Sequence, residues 1–127
     1  MGSFDEFVRF SAKLTDERIR SNSFVALSNF NLISVYVGPD PNKLVMTFES
    51  PAPDDDTELN AVRFSVVFKE VDDLVVRGFN GIGSMRADVD PAGRYIFHLC
   101  AAESNISFRF GAVDVAGVRR FKMARAF

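Results

Sequence analysis

Val62-Arg63-Phe64-Ser65-Val66-Val67-Phe68-Lys69 sets apolar side chains at 62, 64, 66 and 68, with Arg63, Ser65, Val67 and Lys69 between them. A period of two marks a strand with one face in a core, because successive side chains leave a pleated backbone on opposite sides. The flanks repeat the pattern. Upstream, Leu44, Met46 and Phe48 alternate with Val45, Thr47 and Glu49. Before them, Leu32 to Val37 is β-rich and ends at Gly38-Pro39-Asp40-Pro41-Asn42, a strong turn signal. Downstream, Leu74 to Arg77 and Ser84 to Val89 are β-prone, on either side of the flexible connector Gly78 to Gly83. Asp90-Pro91-Ala92-Gly93 fits a type I turn, with Asp first, Pro second and Gly fourth. Tyr95, Phe97 and Leu99 then alternate with Arg94, Ile96 and His98, and Ile106, Phe108 and Phe110 with Ser107 and Arg109. Val113 and Val115 continue the β character until Gly117.

The N-terminus reads differently. Ser3 and Glu6 stand at capping-box spacing, and Phe4, Phe7, Val8 and Leu14 recur at helical spacing. Asp5 and Glu6 sit where the helix dipole favours acids. The helix is expected to run on through Thr15 to Arg20 and stop near Ser21-Asn22-Ser23. The fold expected is therefore mainly β (α+β): a single antiparallel β-sandwich or partly open barrel of about six to eight strands with an N-terminal helix. The 127 residues read as one domain. Residues 1–22 form its helical segment, 23–117 the antiparallel sheet and 118–127 a basic C-terminal tail. Short connections predict a meander. The 14 phenylalanines are expected to be mostly core.

Apolar residues at 47% and charged residues at 25% exclude a disordered, collagen-like or disulfide-scaffold chain. The net charge of −2 is unevenly spread. Residues 51–93 hold nine acids against four basic residues, and 94–127 hold six basic residues against two acids. The preferred reading is that these two regions neutralise one another across a sheet. No charged-then-apolar leader is visible in Met1 to Phe10, and Ser21 to Pro39 is too polar to span a bilayer, so a cytoplasmic protein with no membrane contact is expected. Cys100 stands alone, so no internal disulfide forms.

Chemistry-bearing patterns are thin. His98 and Cys100 share a strand face, about 7 Å apart, too far for direct proton transfer. One His and one Cys cannot make a structural zinc site, and neither Asp54-Asp55-Asp56 nor Asp88 and Asp90 match a calcium loop. No metal, no cofactor and no catalytic residue is assigned. Gly78, Gly81 and Gly83 do not follow the dinucleotide fingerprint. Arg109, Arg119, Arg120, Lys122 and Arg125 interleave with Phe108, Phe110 and Phe121, but these rings sit at core spacing. Nucleic acid is not the expected partner.

One resemblance extends over residues 29–115. A strand from Asn29 to Val37 leads to Lys43–Glu49, and the strand ending at Lys69 runs straight into Glu70-Val71-Asp72-Asp73-Leu74. Phe68, Val71 and Leu74 make an F-x-x-V-x-x-L element after the central strand, and the chain closes on Asn105 to Phe110. This resembles small all-β bacterial immunity proteins of polymorphic toxin systems. The resemblance implies a cytoplasmic, non-enzymatic protein that binds and neutralises a cognate toxin. It transfers no binding residue, because the matching positions are structural.

The acids Asp54, Asp55, Asp56, Glu58, Asp72 and Asp73 are the expected contact face for a basic protein partner. An unpaired edge strand leaves room for a homodimer. Two alternatives stand beside this reading. One is a carrier of small apolar ligands with a Phe-lined pocket. The other is a small enzyme whose site is built from Tyr36, His98 and carboxylates, which requires His98 about 3 Å from a carboxylate in a cleft.

Overall fold

A computed structural model describes residues 3–14, 24–38, 40, 42–50, 61–78 and 83–121. Helix α1 spans Phe4–Leu14. The Ser3 hydroxyl accepts the Glu6 N–H at 3.2 Å, and the Glu6 carboxylate is hydrogen-bonded in return to the Ser3 backbone, so both halves of the capping box form. The buried face carries Phe7 and Phe10, with Phe4 and Leu14 packed at its margins. Val8, expected on that face, is exposed; three-residue steps through 4, 7 and 10 define the stripe and leave 8 off it. Residues 15–23 lie outside the described residues.

A 3₁₀ helix, Val25–Asn29, stands where the sequence predicts the onset of strand periodicity. Its flanking rings Phe24 and Phe30 and its own Leu27 are buried, and Asn29 Nδ2 donates to Glu6 Oε2 at 2.8 Å, tying it to α1. Eight strands come next: β1 Asn31–Val37, β2 Leu44–Glu49, β3 Ala61–Lys69, β4 Asp72–Arg77, β5 Ser84–Val89, β6 Tyr95–Ala101, β7 Ser104–Phe110 and β8 Ala112–Phe121. They form two four-stranded antiparallel sheets, ordered β1-β2-β3-β8 and β4-β7-β6-β5. The result is an open sandwich with an N-terminal helix, as the alternation predicts.

The order is not a simple meander. β3 and β4 are consecutive yet lie in different sheets, and so are β7 and β8. β3 pairs with β8, β4 with β7 and β5 with β6, so a long ribbon folds over itself at two corners. β8 also runs past Gly117, whose φ of +62° and a register shift opposite Arg63/Ser65 form a bulge. Val118 to Phe121 are thus strand, not tail, because a glycine in a left-handed conformation bends a strand without ending it. Residues 122–127 lie outside the described residues.

Alternation explains the core. Leu44, Met46 and Phe48 with Phe64, Val66 and Phe68 point inward from one sheet, and Phe97, Leu99, Ile106, Phe108 and Phe110 from the other. Among the described residues ten phenylalanines are buried. Phe68 bridges the layers, with ring centroids 5.4, 4.8 and 4.9 Å from Phe97, Phe108 and Phe110. Phe24 reaches Phe10, Phe68, Phe97 and Phe110 and so joins α1 to both sheets. Arg120 lies over the Phe4 ring at 4.2 Å and fastens β8 to the helix.

Gly78 ends β4 with φ +72°, and a Cβ there would lie 2.7 Å from the Glu103 carbonyl oxygen. Gly78→Ala is expected to destabilise the protein by at least about 1–3 kcal/mol. Gly93→Ala, at φ +85° with open space around it, is expected to cost only the conformational part, about 1–2 kcal/mol. Urea unfolding of the two variants checks the order; equal losses would show that the Glu103 contact does not matter.

Candidate interaction surface

Four connections meet at one end of the sandwich. The β1–β2 turn is closed by Gly38 N–H on Lys43 O at 3.1 Å and Lys43 N–H on Asp40 O at 3.2 Å. The β3–β4 corner docks on it through Val71 N–H to Asn42 O, 2.9 Å. The β7–β8 corner joins the β3 end through Gly111 N–H to Lys69 O, 3.0 Å. The β5–β6 turn forms as the sequence predicts, with Gly93 N–H on Asp90 O at 2.9 Å. The Asp90 side chain caps it, since Oδ1 accepts the N–H groups of Ala92 and Arg94, both at 2.9 Å.

An ion-pair network joins these corners. Asp72 and Arg109 stand opposite one another on β4 and β7. Arg109 Nε donates to Asp72 Oδ1 at 2.9 Å and Nη2 to Oδ2 at 3.2 Å, a two-point grip. Arg94 Nη1 reaches the same Oδ2 at 3.0 Å, and Arg94 Nη2 donates to the Glu70 carbonyl. Asp73 Oδ2 lies 3.1 Å from Arg109 Nε, and Asp90 Oδ2 3.5 Å from Nη1. The hydrogen bonds to Asp72, then its charge and that of Asp73, raise the Arg109 pKa above its ordinary value. Glu70 takes a left-handed backbone conformation, φ +56°, at the corner between the sheets, and Asp73, φ +54°, takes one at the bulge that opens β4. Beside the network, Asp40, Asn42, Lys43, Lys69 and Glu70 line an open cleft of about 400 Å³. Lys69 pairs there with Asp114 at 2.9 Å.

Of the expected contact residues, Asp72 and Asp73 are at this end, while Asp54, Asp55, Asp56 and Glu58 lie outside the described residues. The sequence missed Arg94 and Arg109 as partners of the two acids, and Asp90 as a further acid beside Arg109. The surplus of acids in 51–93 and of basic residues in 94–127 is the signal that pointed to them, and the two regions do neutralise one another across β4 and β7. No family model, curated protein or solved structure matches this chain.

The remaining chemistry-bearing residues are dispersed. His98 Nε2 lies 3.4 Å from Asp88 Oδ2, with Arg86 Nε 3.5 Å from the same oxygen, on the outer pleat of β5 and β6. Cys100 is exposed on that pleat, flanked by Ser84 and Asn105. Tyr36 is exposed on the outer side of the other sheet, so Tyr36 and His98 are not brought together. Arg109 sits among acids on β7, and Arg119 faces Arg63 on the other sheet, so the described basic residues of the C-terminal third are not one patch, while Lys122 and Arg125 lie outside the described residues. Among the described residues no group of three or more His, Cys, Asp or Glu is placed to hold a metal ion. No helix among them is long and apolar enough to cross a membrane. The F-x-x-V-x-x-L element straddles the β3–β4 corner, with Phe68 and Val71 buried and Leu74 exposed on β4.

Proposed function

We propose that this chain is a non-enzymatic protein-binding module that docks through the charged end of its sandwich. As the resemblance to immunity proteins implies, its partner is a cognate toxin that it neutralises. One observation carries the reading. The side chains at this end form a fixed array of both signs, with Asp72 gripped by Arg109 and Arg94 beside the open, charged cleft. Charges held in place before contact favour specific, electrostatically complementary docking. The phenylalanines pack against one another in the core, and the ionisable pairs stand at the surface.

The test is the protein encoded beside this gene. A toxin-bearing neighbour is expected, and its product should bind the purified chain in calorimetric titration. Reversing two cleft charges together, Lys43→Glu with Glu70→Lys, is expected to weaken that binding at least about tenfold. No toxin-bearing neighbour, no binding, or binding indifferent to both reversals ends the proposal.

A further inference from the structure

We infer that the free edge of β4 pairs antiparallel with β4 of a second copy, about a two-fold axis through Val75. This goes beyond the docking proposed above and uses residues 73–77 at the free edge of β4, of which only Asp73 is shared with the charged end.

β4 is the outermost strand of its sheet. Leu74, Val75 and Val76 are 38%, 42% and 51% exposed, an apolar run on an edge whose backbone groups face no described strand on that side. Val76 faces Ile106 on the core side of β7, yet it stays half-exposed. Val75 faces Ser107 on the outer side. The edge is therefore apolar on both faces.

Its charges select the occupant. Asp73 lies before the run, within 3.1 Å of Arg109 Nε but with its side chain 71% exposed, and Arg77 lies after it. Among the described residues Arg77 makes no ion pair. In an antiparallel ladder, opposed residues must both turn their N–H and C=O groups toward each other or both away. Two copies of one strand meet this condition only where some residue faces itself. Centring on Leu74 sets Val75 against Asp73, an apolar side chain against an acid. Centring on Val76 sets Val75 against Arg77. Centring on Val75 sets Leu74 against Val76 twice and Asp73 against Arg77 twice. Only this register matches apolar with apolar and acid with base at every position.

The three other edge strands lack this match. β8 is bent by its bulge at Gly117 and fastened to α1 through Arg120 over the Phe4 ring, so it offers no straight run for a second copy. β1 exposes Ile33, Tyr36 and Val37 but contains no charged residue to fix a register. β5 is bonded to the 3₁₀ helix through Met85 N–H to Ser28 Oγ, 3.0 Å. The bulge between Asp72 and Val75 and the left-handed Asp73 end the ladder early, so Asp73 and Arg77 meet through side chains and only three residues form rungs. Three rungs bury little area, so the dimer is weak and forms only well above micromolar concentration. A two-fold contact closes on itself, so assembly stops at two copies.

Sedimentation equilibrium of the purified chain alone, from low micromolar to millimolar, should show monomer passing to dimer and nothing larger. Asp73→Arg and Arg77→Asp each oppose like charges twice, and each should lower the association constant at least about tenfold. An equimolar mixture should regain it. The first variant carries arginine at both positions and the second aspartate at both, so each of the two contacts in the mixed dimer joins opposite charges. Thermal melting verifies that both variants fold. Should Asp73→Arg fail to fold, Val75→Lys, at an exposed position in the monomer, places two ammonium groups on the axis and should abolish dimerisation. A monomer throughout, an open-ended series, or a dimer untouched by these variants overturns the inference. Because no partner protein is present, such a failure leaves the toxin-binding proposal standing, and the reverse holds.

Discussion

Phe68→Ala should lower the unfolding free energy by about 3–5 kcal/mol, the range for emptying a large aromatic site in a packed core. Phe68 is fully buried at the end of β3, and its ring touches Phe24, Phe97, Phe108 and Phe110. Three of those rings belong to the facing sheet, so truncation removes contacts that hold the two layers together. A domain of this size is stable by only about 5–15 kcal/mol, so the alanine variant sits close to unfolding. Phe68→Leu, which keeps most of the volume, should cost much less and gives a measurable reference. Urea midpoints with an unchanged slope are the readout. A loss under about 1 kcal/mol for the alanine variant would show that the sheets do not meet at this ring.

Asp90→Ala should cost about 2 kcal/mol, because it removes an ionised acceptor from two backbone N–H groups as well as a partner of Arg109. The side chain is only 7% exposed, so water replaces little of what is lost. Asp90→Asn separates the two parts. The amide oxygen still accepts from Ala92 and Arg94, while the attraction to Arg109 goes. The asparagine variant should therefore lose about half as much, and its deficit should shrink in high salt, which screens the ion pair. The alanine deficit should persist in salt. A salt-independent asparagine deficit, or no deficit in either variant, would exclude the ion-pair account.

The sequence was most legible where structure is local. The capping box needs only Ser3 and Glu6, the β5–β6 turn only Asp90 to Gly93, and both form as read. Alternation over Val62 to Lys69 fixes which side chains face inward whatever the strand pairs with. The 3₁₀ helix was hidden, since Phe24 to Phe30 is a short apolar stretch whose period favours no one state. Gly117 looked like an end because a glycine stops a lone strand as readily as it bulges a paired one. Pairing with β3 across Arg63 and Ser65 decides between them. The candidate surface was half visible. Asp72 and Asp73 stood out as acids, but their partner Arg109 is 37 residues away from Asp72.

By itself, the chain's order of side chains determined that this is a helix followed by sheet, with phenylalanines inside and charges outside. Burial follows from the period of the backbone, and the period is written residue by residue. Only the tertiary structure decided that β3 meets β8, that β4 meets β7 and is left with a bare edge, and that Asp72 is gripped by Arg109 and Arg94. Those choices depend on which distant strands satisfy one another's backbone groups while burying the same rings. That competition is settled by the whole assembled core and by no local stretch of it.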